Sequence, residues 1–225
     1  MKYTLLILAA ATLTATSCNG GINSNPTLAT NQDSVSYALG LNIGHSLLQS
    51  GSKDLNADIL ACAIKDVING DKTKFEPQDA EQILRNYFAA LEEAKHQEAI
   101  SEGKAFLENN AKRPEVTTLE SGLQYEILKA GEGPKPKATD KVRCHYQGTL
   151  IDGTVFDSSV RRGQPADFSV NGVIAGWVEA LQLMPVGSKW KLYIPYNLAY
   201  GPRGAGGAIP PYATLIFEIE LIEIL

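Results

Sequence analysis

The chain has 225 residues, of which 44% are hydrophobic and 20% charged, with a formal net charge of −5. That length holds one large domain or two small ones, and the composition is that of an ordinary globular protein. The acidic balance excludes a general electrostatic pull toward nucleic acid or acidic membranes.

A targeting segment comes first. Lys2 supplies a positive start, Leu5 to Leu13 form a short apolar run, and Ala15-Thr16-Ser17-Cys18 follows at the cleavage position. The run is too short to span a bilayer and reads as an export signal over residues 1–17. The small residue before Cys18 resembles the lipobox of bacterial lipoproteins, which implies that Cys18 becomes a lipidated N-terminus. The alternative is a plain secretory signal with an incidental cysteine. Residues 18–32, rich in Asn, Ser and Thr, fit a flexible tether. Cleavage leaves Cys62 and Cys144 as the unmodified cysteines, too few for a disulfide framework. Both are expected to be packing residues, with an intermolecular Cys62 bridge as the alternative.

Residues 33–112 carry helical periodicity. Asp33-Ser34 offers an N-cap, and Val35 to Leu48 runs without a proline. Ser36, Gly40 and Gly44 fall on one face beside a stripe of Leu39, Ile43 and Leu47. A mid-helix glycine costs roughly 1 kcal/mol against alanine, so two on one face point to the close approach of another helix. A second helix spans Asn56 to Ile68, closed by Asn69-Gly70. Pro77 opens a third, with Ala80, Ile83, Leu84, Tyr87, Phe88 and Leu91 as its apolar face. From Glu92 to Lys104 that face thins to Ala94, Ala99 and Ile100, and a helix polar nearly all round is usually solvent-bridging. A stalk running to about Ala111 is expected. These helices make a thin core by themselves, which pairing with a second copy would cure. The sequence therefore predicts a homodimer formed through the helical domain.

After Arg113-Pro114 the period switches to alternation, and residues 113–225 read as an α+β domain: an antiparallel sheet wrapped around one short helix. Leu123 to Leu128 reads as a strand. Val142, Cys144 and Tyr146 alternate with Arg143, His145 and Gln147, and Asp152-Gly153 marks a turn before Val155-Phe156. Trp177 to Leu183 is the short helix. Trp190, Leu192 and Ile194 alternate with Lys191 and Tyr193, and Leu215, Phe217, Ile219 and Leu221 alternate with Ile216, Glu218, Glu220 and Ile222.

Ordinary reactive groups are missing. The glycines from Gly201 to Gly207 precede prolines and a strand, not a helix N-terminus that could cradle phosphate. His45, His96 and His145 lack the spacing of a metal site, and no serine sits in a nucleophile-elbow context. No metal and no cofactor is expected. What the last fifty residues offer instead is aromatic and apolar groups set among glycines and prolines.

Tyr146-Gln147-Gly148-Thr149-Leu150, Gly153-Thr154-Val155-Phe156-Asp157-Ser158-Ser159 and Val173-Ile174-Ala175-Gly176-Trp177 resemble the motifs of FKBP-type peptidyl-prolyl isomerases in order and spacing. So do Gly187-Ser188-Lys189, Ala199-Tyr200-Gly201 and Ile209-Pro210-Pro211-Tyr212-Ala213-Thr214-Leu215-Ile216-Phe217. The match covers roughly Thr118 to Leu225. Upstream, the segments from Ser36-Tyr37-Ala38-Leu39-Gly40 to Glu102-Gly103-Lys104-Ala105-Phe106-Leu107 resemble the dimerising helical domain of exported bacterial members of the Mip/FkpA kind. The resemblance implies a pocket floored by Trp177 and walled by Tyr146, Phe156, Val173, Ile174, Tyr200 and Phe217, with Phe168 and Ile209 also contacting substrate. It implies that the Ile174 N–H and the Tyr200 hydroxyl each hold a substrate carbonyl, while Asp157 makes a polar contact at the pocket edge. It further implies an exported isomerase acting on proline-containing unfolded proteins, lipid-anchored to the outer membrane facing the periplasm.

Some family members carry a second aromatic residue two positions before Phe168, where this chain has Ala166, and the loop from Pro202 to Ala208 is small. Both imply a more open rim. Two rival readings remain at the level of sequence: a chaperone whose pocket captures apolar segments, and a structural envelope lipoprotein with a vestigial fold. Each pocket residue also has a plain structural reading. Trp177, Tyr146 and Phe217 could be core, Asp157 a turn former and Tyr200-Gly201 a loop closure.

Overall fold

Thr30, and not Asp33, starts the first helix. In the computed structural model, which describes residues 25–225, α1 spans Asn31–Ser50. The Thr30 side chain accepts from the Asp33 N–H at 3.1 Å, and the Asp33 carboxylate accepts from the Thr30 N–H at 2.7 Å. This reciprocal capping box satisfies two donors that a helix start leaves orphaned. The expected cap is thereby corrected by about one turn: Asp33 sits inside the helix, where its charge suits the positive end of the dipole. The export signal, Cys18 and the tether as far as residue 24 lie outside the described residues. The far end of the tether is shorter than expected, because α1 has begun by Asn31.

α2 (Ala57–Asn69) starts at Asn56, whose side-chain oxygen accepts from the N–H groups of Asp58 and Ile59, and ends at Gly70 in the left-handed conformation. α3 spans Pro77–Asn110. The chain divides into two compact units, Met1–Tyr87 and Phe88–Leu225, and α3 crosses the division. In the first unit neither α1 nor α2 buries any residue. Ile59, Val67 and Ile68 are 67%, 68% and 77% exposed. A Cβ added at Gly40 or Gly44 would meet nothing within 4 Å, so the close helix approach expected there is not made within this chain.

The second unit holds the core. Its seven strands are β1 (Val116–Thr118), β2 (Gln124–Lys129), β3 (Lys141–Leu150), β4 (Val155–Ser158), β5 (Ala166–Ser169), β6 (Lys189–Ile194) and β7 (Leu215–Ile224). They pair antiparallel in the order β1-β2-β6-β7-β3-β4, with β5 pairing the opposite end of β3. Two helices join them, α4 (Ser159–Arg162) and α5 (Ala175–Leu183). This is the expected α+β fold, with the sheet wrapped on α5. Trp177, Ala180 and Leu181 of α5 pack with Val142, Cys144, Leu192, Ile194, Leu215, Ile219 and Leu221 in one buried cluster. Burial, with a smaller contribution from Asp167, pushes the Cys144 thiol up to about 12, as suits a packing residue. β1, β5 and the single turn α4 were not foreseen. The two strands are short, and α4 has only four residues.

The polar second half of α3 is not a bare solvent stalk. Gly103 and Asn110 are buried. Phe106 lies 6.0 Å from Tyr193, and His96 lies 5.0 Å from Tyr212, ring centre to ring centre. The contact stripe is made of His, Gly, Phe and Asn, so its hydrophobicity is too low to register as an apolar face. The same contact corrects the reading of β6: Tyr193 alternates with the core residues yet is itself buried, because Phe106 covers it. The Tyr193 hydroxyl donates to Glu126 at 3.0 Å and accepts from Arg113 at 2.9 Å.

The end of α3 is tied to β2 through buried polar groups. The Asn110 side-chain N–H donates to Gln124 Oε1, and Gln124 Nε2 donates to the Leu107 carbonyl, both at 2.9 Å. Gln124→Leu would leave the Asn110 donor without this partner, at a cost of about 1–3 kcal/mol. The expected result is a lower urea midpoint with an unchanged slope. An unchanged midpoint would contradict the account.

Candidate active site

Four elements bring aromatic rings together. Trp177 sits on the first turn of α5, Tyr146 on β3, Phe168 on β5 and Phe217 on β7. Strand alternation turns Tyr146 and Phe217 toward the helix. Their ring centres, with that of Phe168, lie 5.4, 5.2 and 5.3 Å from Trp177, all close to edge-on. Phe156 of β4 meets Phe217 edge-on at 5.5 Å. That pair requires the glycine at position 148, since a Cβ there would come within 2.5 Å of the Phe156 ring and 2.8 Å of Phe217.

The rings line a cavity of about 590 Å³ together with Asp157, Gly172, Val173, Ile174, Tyr200, Ala205, Gly206, Ala208 and Ile209. All ten residues singled out for the site in the 113–225 domain are therefore in one place. Cys18 lies outside the described residues. Ile174 is the N-cap of α5, in extended conformation, and its N–H donates to no backbone carbonyl among the described residues. Tyr200, 41% exposed, stands at the cavity mouth.

One polar cluster borders the cavity. The Tyr146 hydroxyl donates to Asp157 Oδ2 at 2.5 Å, Arg162 donates to the other carboxylate oxygen, and Arg162 Nη2 donates to the Tyr146 hydroxyl at 2.8 Å. The guanidinium also lies 5.6 Å from the Tyr146 ring centre. Partial burial opposes ionisation of Asp157, but the hydrogen bonds from Tyr146 and Arg162 outweigh it and hold the carboxyl below its usual range. Tyr146 is raised, first by burial and then by its bond to Asp157. Tyr200 is raised too, by burial and then by the Asp157 charge.

Sequence reasoning missed Arg162 and Ser159. Ser158 caps α4 by accepting from the Arg161 N–H at 3.2 Å, and Gly163 ends the turn in the left-handed conformation. The turn thus carries Arg162 back onto Asp157. Ser159 is fully buried; its hydroxyl accepts from the Tyr146 N–H at 2.7 Å and lies 3.2 Å from the Tyr146 carbonyl. It fixes the backbone from which the Tyr146 ring projects. The one available signal was a Ser and a Gly bracketing four residues, as in a short capped helix. The small loop residues Ala205, Gly206 and Ala208 carried no chemical signal of their own.

Comparison with known proteins extends these observations. Residues 133–222 match the family described as FKBP-type peptidyl-prolyl cis-trans isomerase, and residues 32–127 match the domain amino-terminal to it. The chain is 50% identical over 203 residues to the FKBP-type 22 kDa peptidyl-prolyl cis-trans isomerase of Escherichia coli (strain K12), covering 89% of this chain and 98% of that one. It is 43% identical over 204 residues to the outer membrane protein MIP of Legionella longbeachae, covering 88% and 87%. Among solved structures, FkpA from Escherichia coli superposes with a TM-score of 0.71 at 36% identity, covering 88% of this chain and 98% of that one.

The Asp157 cluster makes stability depend on pH. A carboxyl depressed in the folded state contributes stability above its unfolded value of about 3.9, and that contribution is lost as pH falls through the folded value. The urea midpoints of wild type and Asp157→Asn should differ at neutral pH and converge in acid below about pH 4. A gap that stays constant into acid would contradict the assignment.

Proposed function

Since the chain belongs to the FKBP-type peptidyl-prolyl cis-trans isomerase family, and is itself an enzyme of that type, we propose that it isomerises X-Pro bonds by holding the twisted imide in the aromatic cavity. Rotating a peptide bond costs ~18–20 kcal/mol, because the planar form is resonance-stabilised. The twisted form loses C–N double-bond character and carbonyl polarity. A dry aromatic surface therefore penalises it less than the planar form. A thousand- to million-fold acceleration asks for about 4–8 kcal/mol of such differential stabilisation.

The residues take distinct roles in this reading. Trp177 floors the cavity beneath the proline ring, with Tyr146, Phe156, Phe168, Val173, Ile209 and Phe217 as walls. The free Ile174 N–H and the Tyr200 hydroxyl receive substrate carbonyls. Asp157, held by Arg162, orients Tyr146 and makes a polar contact at the edge. The carrying observation is the pocket's lining: apolar rings, with its ionisable groups held away from neutrality, Asp157 below its usual range and both tyrosines above theirs. Such a site has no group poised to move a proton near neutral pH, and bond rotation needs none.

Clients would be proline-containing, unfolded or partly folded exported proteins. Uncatalysed X-Pro isomerisation takes tens to hundreds of seconds, slow enough to limit folding. The domain organisation we propose is a signal over residues 1–17, a tether that ends before the Thr30 cap, a helical dimerisation domain and connecting helix from there to residue 112, and the isomerase domain over 113–225. Lipidation at Cys18 would anchor the protein in the outer membrane facing the periplasm. The exposed Ile59, Val67 and Ile68 and the unfilled Gly40/Gly44 face support a homodimer, since one copy leaves these apolar surfaces in water. Two linked pockets could engage one client twice and raise its effective concentration.

Two outcomes test this reading. Tyr200→Phe removes one hydrogen bond to substrate and should lower kcat/KM on a proline tetrapeptide about two- to tenfold; an unchanged value would contradict the role given to Tyr200. Gly44→Leu should convert the dimer to monomer in light scattering, and a retained dimer mass would exclude this face as the interface.

A further inference from the structure

Tyr212 is the one non-glycine residue among those described with a left-handed backbone, at φ 58°. An aromatic side chain is disfavoured there, so its surroundings must hold it. Two rings do so: Tyr196 lies edge-on at 5.3 Å, and His96 of α3 lies at 5.0 Å. Two residues on, Thr214 fills a notch in the same helix, where a Cβ added at Gly103 would come within 2.4 Å of its Oγ1. His96 and Gly103 lie two turns apart on one face of α3.

The segment pinned at these two points is the base of the cavity rim. The Tyr212 N–H donates to the Gly201 carbonyl at 2.9 Å, which closes the loop next to Tyr200. Ala205 and Ile209 exchange both backbone hydrogen bonds, at 2.9 and 3.0 Å. Ala205, Gly206, Ala208 and Ile209 then line the cavity. A loop cross-tied in this way shifts as a unit. Ile209 packs into the buried core cluster with Ala205 against it, while the glycines and Ala208 add little, so the outer part of the loop depends on where the segment is anchored.

We propose that His96 and Gly103 are positioning residues for the isomerase reaction: α3 sets the height of the rim formed by residues 201–214 over the bound X-Pro segment. The inference rests on the reading of the cavity as the isomerase site. No ring of the rim belongs to the edge-on cluster on Trp177, so displacing the rim weakens substrate binding more than it slows rotation. Its signature is a rise in KM with little change in kcat.

The test uses the full-length protein and a proline-containing tetrapeptide. His96→Ala should raise KM about three- to tenfold, the range expected for losing one aromatic pair, while kcat stays at the wild-type value and Tm falls by no more than a few degrees. Gly103→Ala, which displaces Thr214, should move KM the same way, and His96→Phe should restore it. A wild-type KM in His96→Ala, or a joint fall in kcat and Tm that His96→Phe does not repair, overturns the proposal. Tyr200→Ala, measured alongside, separates the two levels. If it loses activity while His96→Ala does not change, only the positioning role falls. If Tyr200→Ala keeps full activity, the reading of the cavity falls and takes the positioning role with it.

Discussion

Three rings set edge-on against Trp177 are the constraint on which the rest of the isomerase unit depends. Tyr146, Phe168 and Phe217 arrive from three different strands, and Trp177 from the helix they surround. Each edge-to-face pair is worth about 0.5–1.5 kcal/mol beyond area burial, but only at the right separation and tilt. To meet it, β3, β5 and β7 must curl around α5. The price is visible at the indole, whose buried N–H has no hydrogen-bond partner among the described residues. Leaving such a donor unpaired costs about 1–3 kcal/mol, which the three ring contacts can offset.

The apolar floor puts a condition on the edge. A carboxylate beside an apolar cavity is costly unless it is paired, and Asp157 is paired from both sides, by Tyr146 and Arg162. The four-residue α4 exists at the point where that arginine is required, capped by Ser158 and closed by Gly163. Ser159, one residue along, holds the Tyr146 backbone. One short turn therefore supplies both the charge partner and the anchor for the ring that touches Trp177. At the opposite rim, Ile209 reaches the core, and α3 meets the base of the loop at Tyr212 and Thr214.

Much of this was legible before any coordinates. Alternation placed Val142, Cys144 and Tyr146 on one strand face and Leu215, Phe217, Ile219 and Leu221 on another, because burying one face of a strand demands period two. Motif spacing then gathered the pocket residues. Three things escaped. Thr30 was hidden as a cap because Asp33-Ser34 is an equally good local signal, and only the reciprocal bond with Asp33 decides between them. Arg162 looked like any surface arginine, since its partners lie across a turn that four residues barely announce. The docking face of α3 was invisible to hydropathy because it is built from His96, Gly103 and Asn110. There the fit comes from shape and hydrogen bonding, which leave little trace in a polarity pattern.

In the proposed mechanism, catalysis proceeds by desolvation and shape without proton transfer. This is tested most directly by measuring kcat/KM for a non-ionising proline tetrapeptide across pH in H₂O and D₂O. With Asp157 held below its usual range and Tyr146 and Tyr200 above theirs, the rate constant should be flat from about pH 6 to 9, with a solvent isotope effect close to one. A bell-shaped profile in that window, or a rate about twofold or more slower in D₂O, would mean that a proton moves in the transition state and would contradict the account.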